Sequence, residues 1–443
     1  MNQTSLFRYA LIAMCMFSAR LQAQFEVDGQ LIQRSEYRNG FSRLIDSQED
    51  PAFFIAHRAR LQANYKMDNL TMYMSVQDVR VWGSTPQVKA TDNLLSVHEA
   101  WAEISLSETW SLKLGRQELN YDNFRFLGNL DWALQGRAHD IALAKHEKNN
   151  RKIHVGAAFN QNDTRLAGTL FTVPNQYKAA QMLRYENSLD NLSFSLLFWN
   201  DGRQFSGSDS LGNQIIFPTY FRQTFGIPTL RYTKGASQLS GYYYYQTGKE
   251  PTGRSTRAYN YSLTFSQKLA RNQERGSGLT LLAGLEVLSG TATNDRRVNR
   301  SFSPLYGTNH LFNGYMDHFF VGGTHENSVG LEDYFVKSRY AFNTTFFVQL
   351  DMHVFHAQSS VYRYINDTSL EPLPRFLGNE IDLSVGYLIT DALSLQGGYS
   401  QLFHSDTFAF LQGQATPKTT QNWAYLMLIV RPTMKNKFIG ILL

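Results

Sequence analysis

Between Phe346 and Val354 the chain alternates strictly. Phe346, Val348, Leu350, Met352 and Val354 fall on one face of an extended strand, and Gln349, Asp351 and His353 on the other. The same period of two recurs along the chain. Ile381, Leu383, Val385, Tyr387 and Ile389 alternate with Glu380, Asp382, Ser384 and Gly386, and Ala100, Ala102, Ile104 and Leu106 alternate with Glu99, Trp101 and Glu103. Leu192, Phe194, Leu196 and Phe198 alternate with Ser193 and Ser195. Helical periods are almost absent. The pattern predicts strands at 25–37, 53–66, 70–82, 95–106, 110–119, 137–147, 151–160, 181–189 and 192–200. It predicts further strands at 225–234, 237–247, 257–268, 277–289, 330–342, 344–357, 378–390, 393–403 and 421–432.

The connections between these segments alternate as well. Asp68-Asn69, Ser107-Glu108-Thr109, Lys148-Asn149-Asn150, Asp190-Asn191 and Asp391-Ala392 are tight polar turns after even-numbered strands. Long polar segments such as 38–52, 120–136, 201–224, 290–329 and 404–420 follow odd-numbered strands. A soluble sandwich has no reason to gather its long loops at one end. A bacterial outer-membrane barrel has short periplasmic turns and long external loops. The expected fold is therefore all-β: one transmembrane antiparallel β-barrel of about 18 strands, with apolar side chains toward lipid and polar ones toward a watery lumen. Closure follows from physics, because hydrocarbon offers no partner to the open edge of a sheet.

Composition supports this picture. Aromatic residues are 14% of the chain, with 31 Phe and 24 Tyr, and an excess of that kind suits girdles at the two membrane interfaces. Trp82, Trp110, Trp199, Tyr399 and Phe403 lie near expected strand ends. The formal charge of +5 is too small to point to nucleic acid. The mean hydropathy is −0.35, and no apolar run is long enough for a spanning helix. At the N-terminus Arg8, the apolar run from Tyr9 to Phe17, and Leu21-Gln22-Ala23 read as a secretory signal peptide, residues 1–23. Residues 24–443 are then the barrel. The only cysteine, Cys15, lies in the leader, so a disulfide framework is not expected.

Alternation nominates the residues that line the lumen. The cations are Arg58, Arg60, Lys113, Arg184, Arg231, Lys337 and Arg339, and the acids are Glu99, Glu103, Asp140, Asp351, Glu380 and Asp382. Arg58 and Arg60 share a face with Gln62 and Asn64. Such a row lowers the cost of passing a carboxylate between low-dielectric walls. Equally, inward cations and acids can pair with each other and only hold the barrel's shape. His98, His139, His154, His353 and His356 show no chelating spacing, and His353 and His356 fall on opposite faces. No cofactor is expected.

The segment Leu114 to Leu143 contains Gly115-Arg116-Gln117-Glu118-Leu119, Gly128-Asn129-Leu130-Asp131-Trp132 and Gly136-Arg137-Ala138-His139-Asp140. With Tyr306 to Phe319 and Leu377 to Tyr387, it resembles the alginate-export family of bacterial outer-membrane barrels. That resemblance implies an eighteen-stranded pore for anionic polysaccharide or related solutes, and it marks Arg116 and Arg137 as the motif arginines. Strict alternation puts Arg116 with Leu112 and Leu114, so either it lies beyond the membrane band or a bulge turns it inward. Arg137 either pins the 120–136 loop through Asp131 or Asp140, or meets solute. Two features depart from the pattern. The last strand, Asn422 to Pro432, is apolar on both faces, which leaves its register open. The chain then runs on to Leu443 with its last aromatic at Phe438.

The function expected is passive passage of anionic solutes through the outer membrane of a Gram-negative bacterium, and the resemblance implies acidic oligo- or polysaccharide among them. The partners are outer-membrane lipid, the barrel assembly machinery and the solute, with no nucleic acid. Two other readings stand beside it. A barrel hydrolase or protease has residue types available at Ser96-Val97-His98 and at His404-Ser405-Asp406, in no known motif. An adhesin-like structural barrel would have a blocked lumen. The 290–329 loop mixes Gly307, Gly314, Gly322 and Gly323 with Phe312, Tyr315, Phe319 and Phe320, so it is expected to pack into or over the pore mouth.

Overall fold

In the computed structural model, residues 24–88, 94–272, 274–319, 328–366 and 369–441 are described. The expected leader, 1–23, lies outside them, as do Phe320, Gly322 and Gly323. Eighteen long antiparallel strands close into one barrel. They are β1 (Gln24–Asn39), β2 (Ala52–Met67), β3 (Leu70–Val81), β4 (Leu95–Ser105), β5 (Trp110–Gln117) and β6 (His139–Lys148). Next come β7 (Arg151–Phe159), β8 (Ala179–Leu189), β9 (Leu192–Arg203), β10 (Tyr220–Lys234), β11 (Ser237–Lys249) and β12 (Ser255–Asn272). The last are β13 (Ser277–Leu288), β14 (Leu331–Ala341), β15 (Phe346–His356), β16 (Phe376–Thr390), β17 (Leu393–His404) and β18 (Gln421–Val430). Each strand pairs with the next. β1 also pairs with β18, Leu31 opposite Val430 and Asn39 opposite Asn422, so the sheet has no open edge.

The short turns are where the sequence placed them. Asp68, Asn149 and Asp190 each take a positive φ, between 43° and 52°, a conformation Asn and Asp tolerate. The external loops carry their own structure. They hold a hairpin of Ser206–Ser208 with Gln214–Ile216, a hairpin of Val361–Tyr364 with Leu370–Leu373, and a short helix, α1 (Asp406–Leu411).

Alternation sets the two faces. Leu350, Met352 and Val354 are exposed outward, and Gln349, Asp351 and His353 are buried inward. Trp82, Trp110, Tyr399 and Phe403 are exposed, as girdle residues should be. Trp199 is not among them. It is fully buried inside the barrel, edge-on to Tyr177 and near Tyr306.

That exception shows where the core lies. Ile32, Ile141, Leu143, Met182, Leu197, Trp199 and Tyr244 point inward and are buried together with Phe126, Trp132, Phe302 and Tyr306 from the loops. The upper lumen, on the long-loop side, is therefore a packed interior. The same packing settles β18. Trp423, Tyr425, Met427 and Ile429 face this interior, and Leu426 and Leu428 face lipid.

Candidate functional site: the plugged lumen

Two external loops enter the barrel. The first, 118–138, joins β5 to β6. The second, 289–330, joins β13 to β14, and its residues 301–319 are almost all buried. The backbone N–H of Gly128 donates to the carbonyl of Tyr306 (3.0 Å), and Leu130 N–H donates to Thr308 Oγ1 (2.9 Å). The rings of Trp132 and His310 stack with centroids 3.9 Å apart. Arg137 donates to the carbonyls of Gly128 (3.3 Å) and Gly307 (2.7 Å), so it ties the two loops together. Burial lowers its pKa to about 10.

The wall fixes this body through polar side chains that alternation aims inward. Arg125, fully buried, donates to Glu286 of β13 (2.7 Å) and to Asn313 (2.8 Å). Asn313 donates in turn to Glu286 (2.9 Å) and to Asp333 of β14 (3.2 Å). Tyr306 Oη donates to Asp201 of β9 (3.0 Å), and Met316 N–H donates to Glu380 of β16 (2.8 Å). Gly314 sits against that carboxylate, where an added Cβ would lie 2.5 Å from Glu380 Oε1.

From the opposite end the residues after β18 turn back inside. Arg431 is buried beside the first loop. Ser394 Oγ donates to the carbonyl of Lys437 (2.6 Å), and Gln396 both donates to and accepts from the backbone of Ile439 (2.7 and 2.9 Å). Phe438 lies edge-on to Phe347 at 5.0 Å, and Gly440 rests against Trp132.

Most of the inward residues expected from sequence do line the wall, and nearly all have partners. Arg58 meets Asp131 (2.7 Å) and the carbonyl of Leu134 (3.1 Å). Arg60 donates to Gln77 (2.7 Å), with Glu118 3.9 Å away. These two arginines are therefore held by the first loop and by the wall, and they do not form a free cationic ladder. Glu99 accepts from Glu118 N–H (3.0 Å) and from Trp101 Nε1 (3.2 Å). Glu103 pairs with Lys145 (2.7 Å), and Lys113 lies 3.6 Å over the Trp101 ring. Lys337 pairs with Asp351 (3.0 Å). Arg339 donates to Gln349 (2.9 Å) and lies over Phe347. Asp382 stands opposite Asp351 across the β15–β16 ladder.

One residue, Asp140, leaves the inward set, and Arg116 keeps the outer face on which strict alternation placed it. Asp140 and Arg116 face outward at the long-loop rim and pair with each other at 2.9 Å. The cause is the dry upper lumen. His139, Ile141 and Leu143 take the inward positions of β6, so the polar Asp140 must take the outer one. Across it, Arg116 follows from the phase of β5, where Gln117 is inward and buried.

A register shift between β3 and β4 turns both His98 and Glu99 inward. With Glu118 their ligand atoms converge within 4.8 Å, joined by a 2.8 Å His98–Glu118 hydrogen bond. At the other candidate catalytic cluster, Ser405 Oγ donates to the carbonyl of Phe376 (2.7 Å) and accepts from Phe408 N–H (3.1 Å). It is the N-cap of α1, with no base positioned on it among the described residues.

Below the plug, toward the short turns, a cavity of about 770 Å³ remains. Its lining includes Lys152, Arg184, Arg231 and Lys337 with Asp122, Glu147, Glu186, Glu286 and Asp333. Tyr121, Phe194, Tyr242, Phe312 and Phe335 add aromatic surface. Arg184 pairs with Asp122 and Glu186, Lys152 with Glu186, His154 with Glu147, and His353 with Asp333. Among the described residues, Arg231 is a lining cation with no ion pair.

Sequence reasoning missed Arg125, Trp132, His310 and Arg431 as functional positions. A signal for the first loop was present: Phe124, Phe126, Leu127, Leu130, Trp132 and Leu134 make it too apolar for a solvated connection. Nothing local marks Arg431.

No family model matches the chain, and no curated protein matches it. Solved structures do share its architecture. The outer membrane protein OpdK from Pseudomonas aeruginosa is 10% identical over 91% of this chain and 98% of its own, with a TM-score of 0.56. OccK3 (OpdO) of the same organism is 12% identical over 91% of this chain and 95% of its own, with a TM-score of 0.55. OpdQ, also from Pseudomonas aeruginosa, is 10% identical over 91% and 97%, with a TM-score of 0.54. The closed barrel, its outward apolar band and these likenesses together place the chain among the β-barrel proteins of the Gram-negative outer membrane.

Proposed function

We propose that the barrel is a passive outer-membrane channel for small anionic solutes, with acidic saccharides of the alginate kind as the intended chemistry. The observation that carries this reading is a cation in the cavity with no ion-pair partner. The acids in the lining have donor partners, while Arg231 has none among the described residues. An anion entering the cavity therefore meets one guanidinium with no ion-pair partner, beside acids held by Arg184, Lys152, Arg125 and two histidines. The aromatic faces around it suit the flat side of a ring, and the volume is that of a small-ligand pocket. OpdK, which shares the fold, has also been solved with vanillate, a carboxylate. The motif resemblance at Gly115 to Leu119 and Gly128 to Trp132 supports the alginate-like class. Outer-membrane lipid and the assembly machinery are the other partners proposed.

The plug favours a second reading, a structural barrel that never conducts. Planar-bilayer recording separates the two. The channel reading expects openings and an anion-selective reversal potential in a salt gradient. Replacing Arg231 by Ser should move that potential toward cations. Permanent closure, or cation preference in the wild type, would refute it.

A further inference from the structure

Asp131 sits on the first inserted loop, and its carboxylate lies between two guanidiniums that share no strand. Oδ1 accepts from Arg58 Nη2 of β2 (2.7 Å), and Oδ2 accepts from Arg431 Nη2, just beyond β18 (2.6 Å). Both arginines also donate to Gln30 Oε1 of β1, at 2.8 and 3.2 Å. Strands β2, β1 and β18 are consecutive around the barrel, so two guanidiniums converge on one carboxylate with Gln30 bridging them from the strand between.

The three side chains are deeply buried: Arg58 is 0% exposed, Arg431 2% and Gln30 5%. The Asp131 side chain keeps 25% of its surface open. The pocket is thus built into the wall, and its occupant is the part that can be reached. The fit is also incomplete. Arg58 Nε, Arg431 Nε and Gln30 Nε2 are buried without a hydrogen-bond partner. Buried donors are normally satisfied, and a guanidinium fork can grip a carboxylate with two parallel hydrogen bonds. A lone aspartate tethered to its loop uses one N–H of each fork.

We propose that Arg58, Arg431 and Gln30 form a carboxylate-binding cradle for the solute, occupied in the closed barrel by Asp131 of the plug. A uronate brings a carboxylate with ring oxygens and hydroxyls beside it, enough acceptors to reach the idle donors. Two adjacent buried cations cannot lose Asp131 and stay bare, because an uncompensated buried charge is strongly unfavourable. Release of the loop is therefore coupled to arrival of an anion. Trp132 is the next residue, and it carries the His310 stack and the Gly440 contact, so displacing Asp131 loosens both loops and the C-terminal segment together. The cradle deepens the channel reading and rests on it for its purpose, though its binding chemistry can be measured without any conduction.

The test is calorimetric titration of the purified barrel with galacturonate, using its neutral methyl ester as control. Asp131→Asn and Asp131→Ser should each bind galacturonate at least tenfold more tightly than wild type, because the competing carboxylate is gone. Adding Arg58→Gln to either variant should abolish that gain, and the ester should not bind the cradle. In bilayers the Asp131 variants should open at least tenfold more often without solute. Galacturonate should raise opening only when Asp131 is present. Equal affinity in wild type and both Asp131 variants, or equal binding of the ester, overturns the cradle. Binding as expected with no conduction in any variant overturns the channel reading and leaves the cradle in place.

Discussion

Trp132 and His310 stack almost parallel, 5° apart in plane, although one lies between β5 and β6 and the other between β13 and β14. Arg34 of β1 covers the Trp132 ring at 4.4 Å, and Trp423 and Tyr425 of β18 meet it edge-on. This one indole joins two loops, two strands and the C-terminal segment. Removing a buried Trp side chain costs about 3–5 kcal/mol. Most of the Trp132→Ala loss should fall on plug docking, since the barrel's ladders do not involve it. The expected outcome is unchanged barrel folding with a rise in open probability of at least tenfold. A barrel that stays as closed as wild type would show that the plug is held elsewhere.

Removal of the second loop makes a sharper version of the same point. Deleting residues 301–318 takes out Tyr306, His310, Asn313 and Met316 but leaves the Arg125–Glu286 pair. Single-channel conductance should increase. An unchanged value would mean that this loop does not obstruct the path.

Lys337 and Asp351 are a buried pair on adjacent strands, with side chains 9% and 0% exposed. Breaking such a pair on one side costs about 3–5 kcal/mol, because the remaining charge stays buried. Lys337→Met should therefore destabilise the barrel by about 3 kcal/mol, although Gln349 still donates to Asp351. Lys337→Met with Asp351→Leu should recover most of that loss. Urea unfolding in lipid vesicles measures both, and a double variant no better than the single one contradicts the pairing argument.

His318 lies in the second loop, packed edge-on against Phe408 of α1. Burial lowers its pKa from 6.5 to about 3, and nearby His404 adds to the effect. A depressed folded pKa means the unfolded segment binds the proton more readily. Plug stability is then fully present above about pH 6.5 and falls as pH drops toward 3. Open probability should rise on acidification across that window. His318→Phe, which cannot take up the proton, should flatten the dependence; an equally steep curve in that variant would assign the effect to other groups.

Met352 and Gln349 test the two faces of β15. Met352 is 45% exposed on the outer surface, and Gln349 is 0% exposed inside. An arginine on the lipid face costs about 2–4 kcal/mol near the midplane. Met352→Arg should lose about that much stability in bilayers and much less in detergent. Similar losses in both media would place the residue away from lipid.

Strand number, the alternation of short turns and long loops, and the wet or greasy face of most strands were legible along the chain. A strand's side chains alternate with period two whatever the strand packs against, and the turn residues announce themselves locally. Asp351, Lys337 and Arg58 were therefore placed inward from sequence alone. Occupancy of the lumen was a tertiary decision. Arg58 looked like a free cation because Asp131 lies 73 residues away, and Arg431 reaches that carboxylate across 300. No local period encodes such a meeting; it exists only once the barrel has closed and the loop has entered it. The same packing reversed the polarity rule where the lumen is dry. Trp199 and Ile141 turned inward, and Asp140 went to the outer rim beside Arg116, because side chains follow the medium they meet, and the medium in the upper barrel is protein.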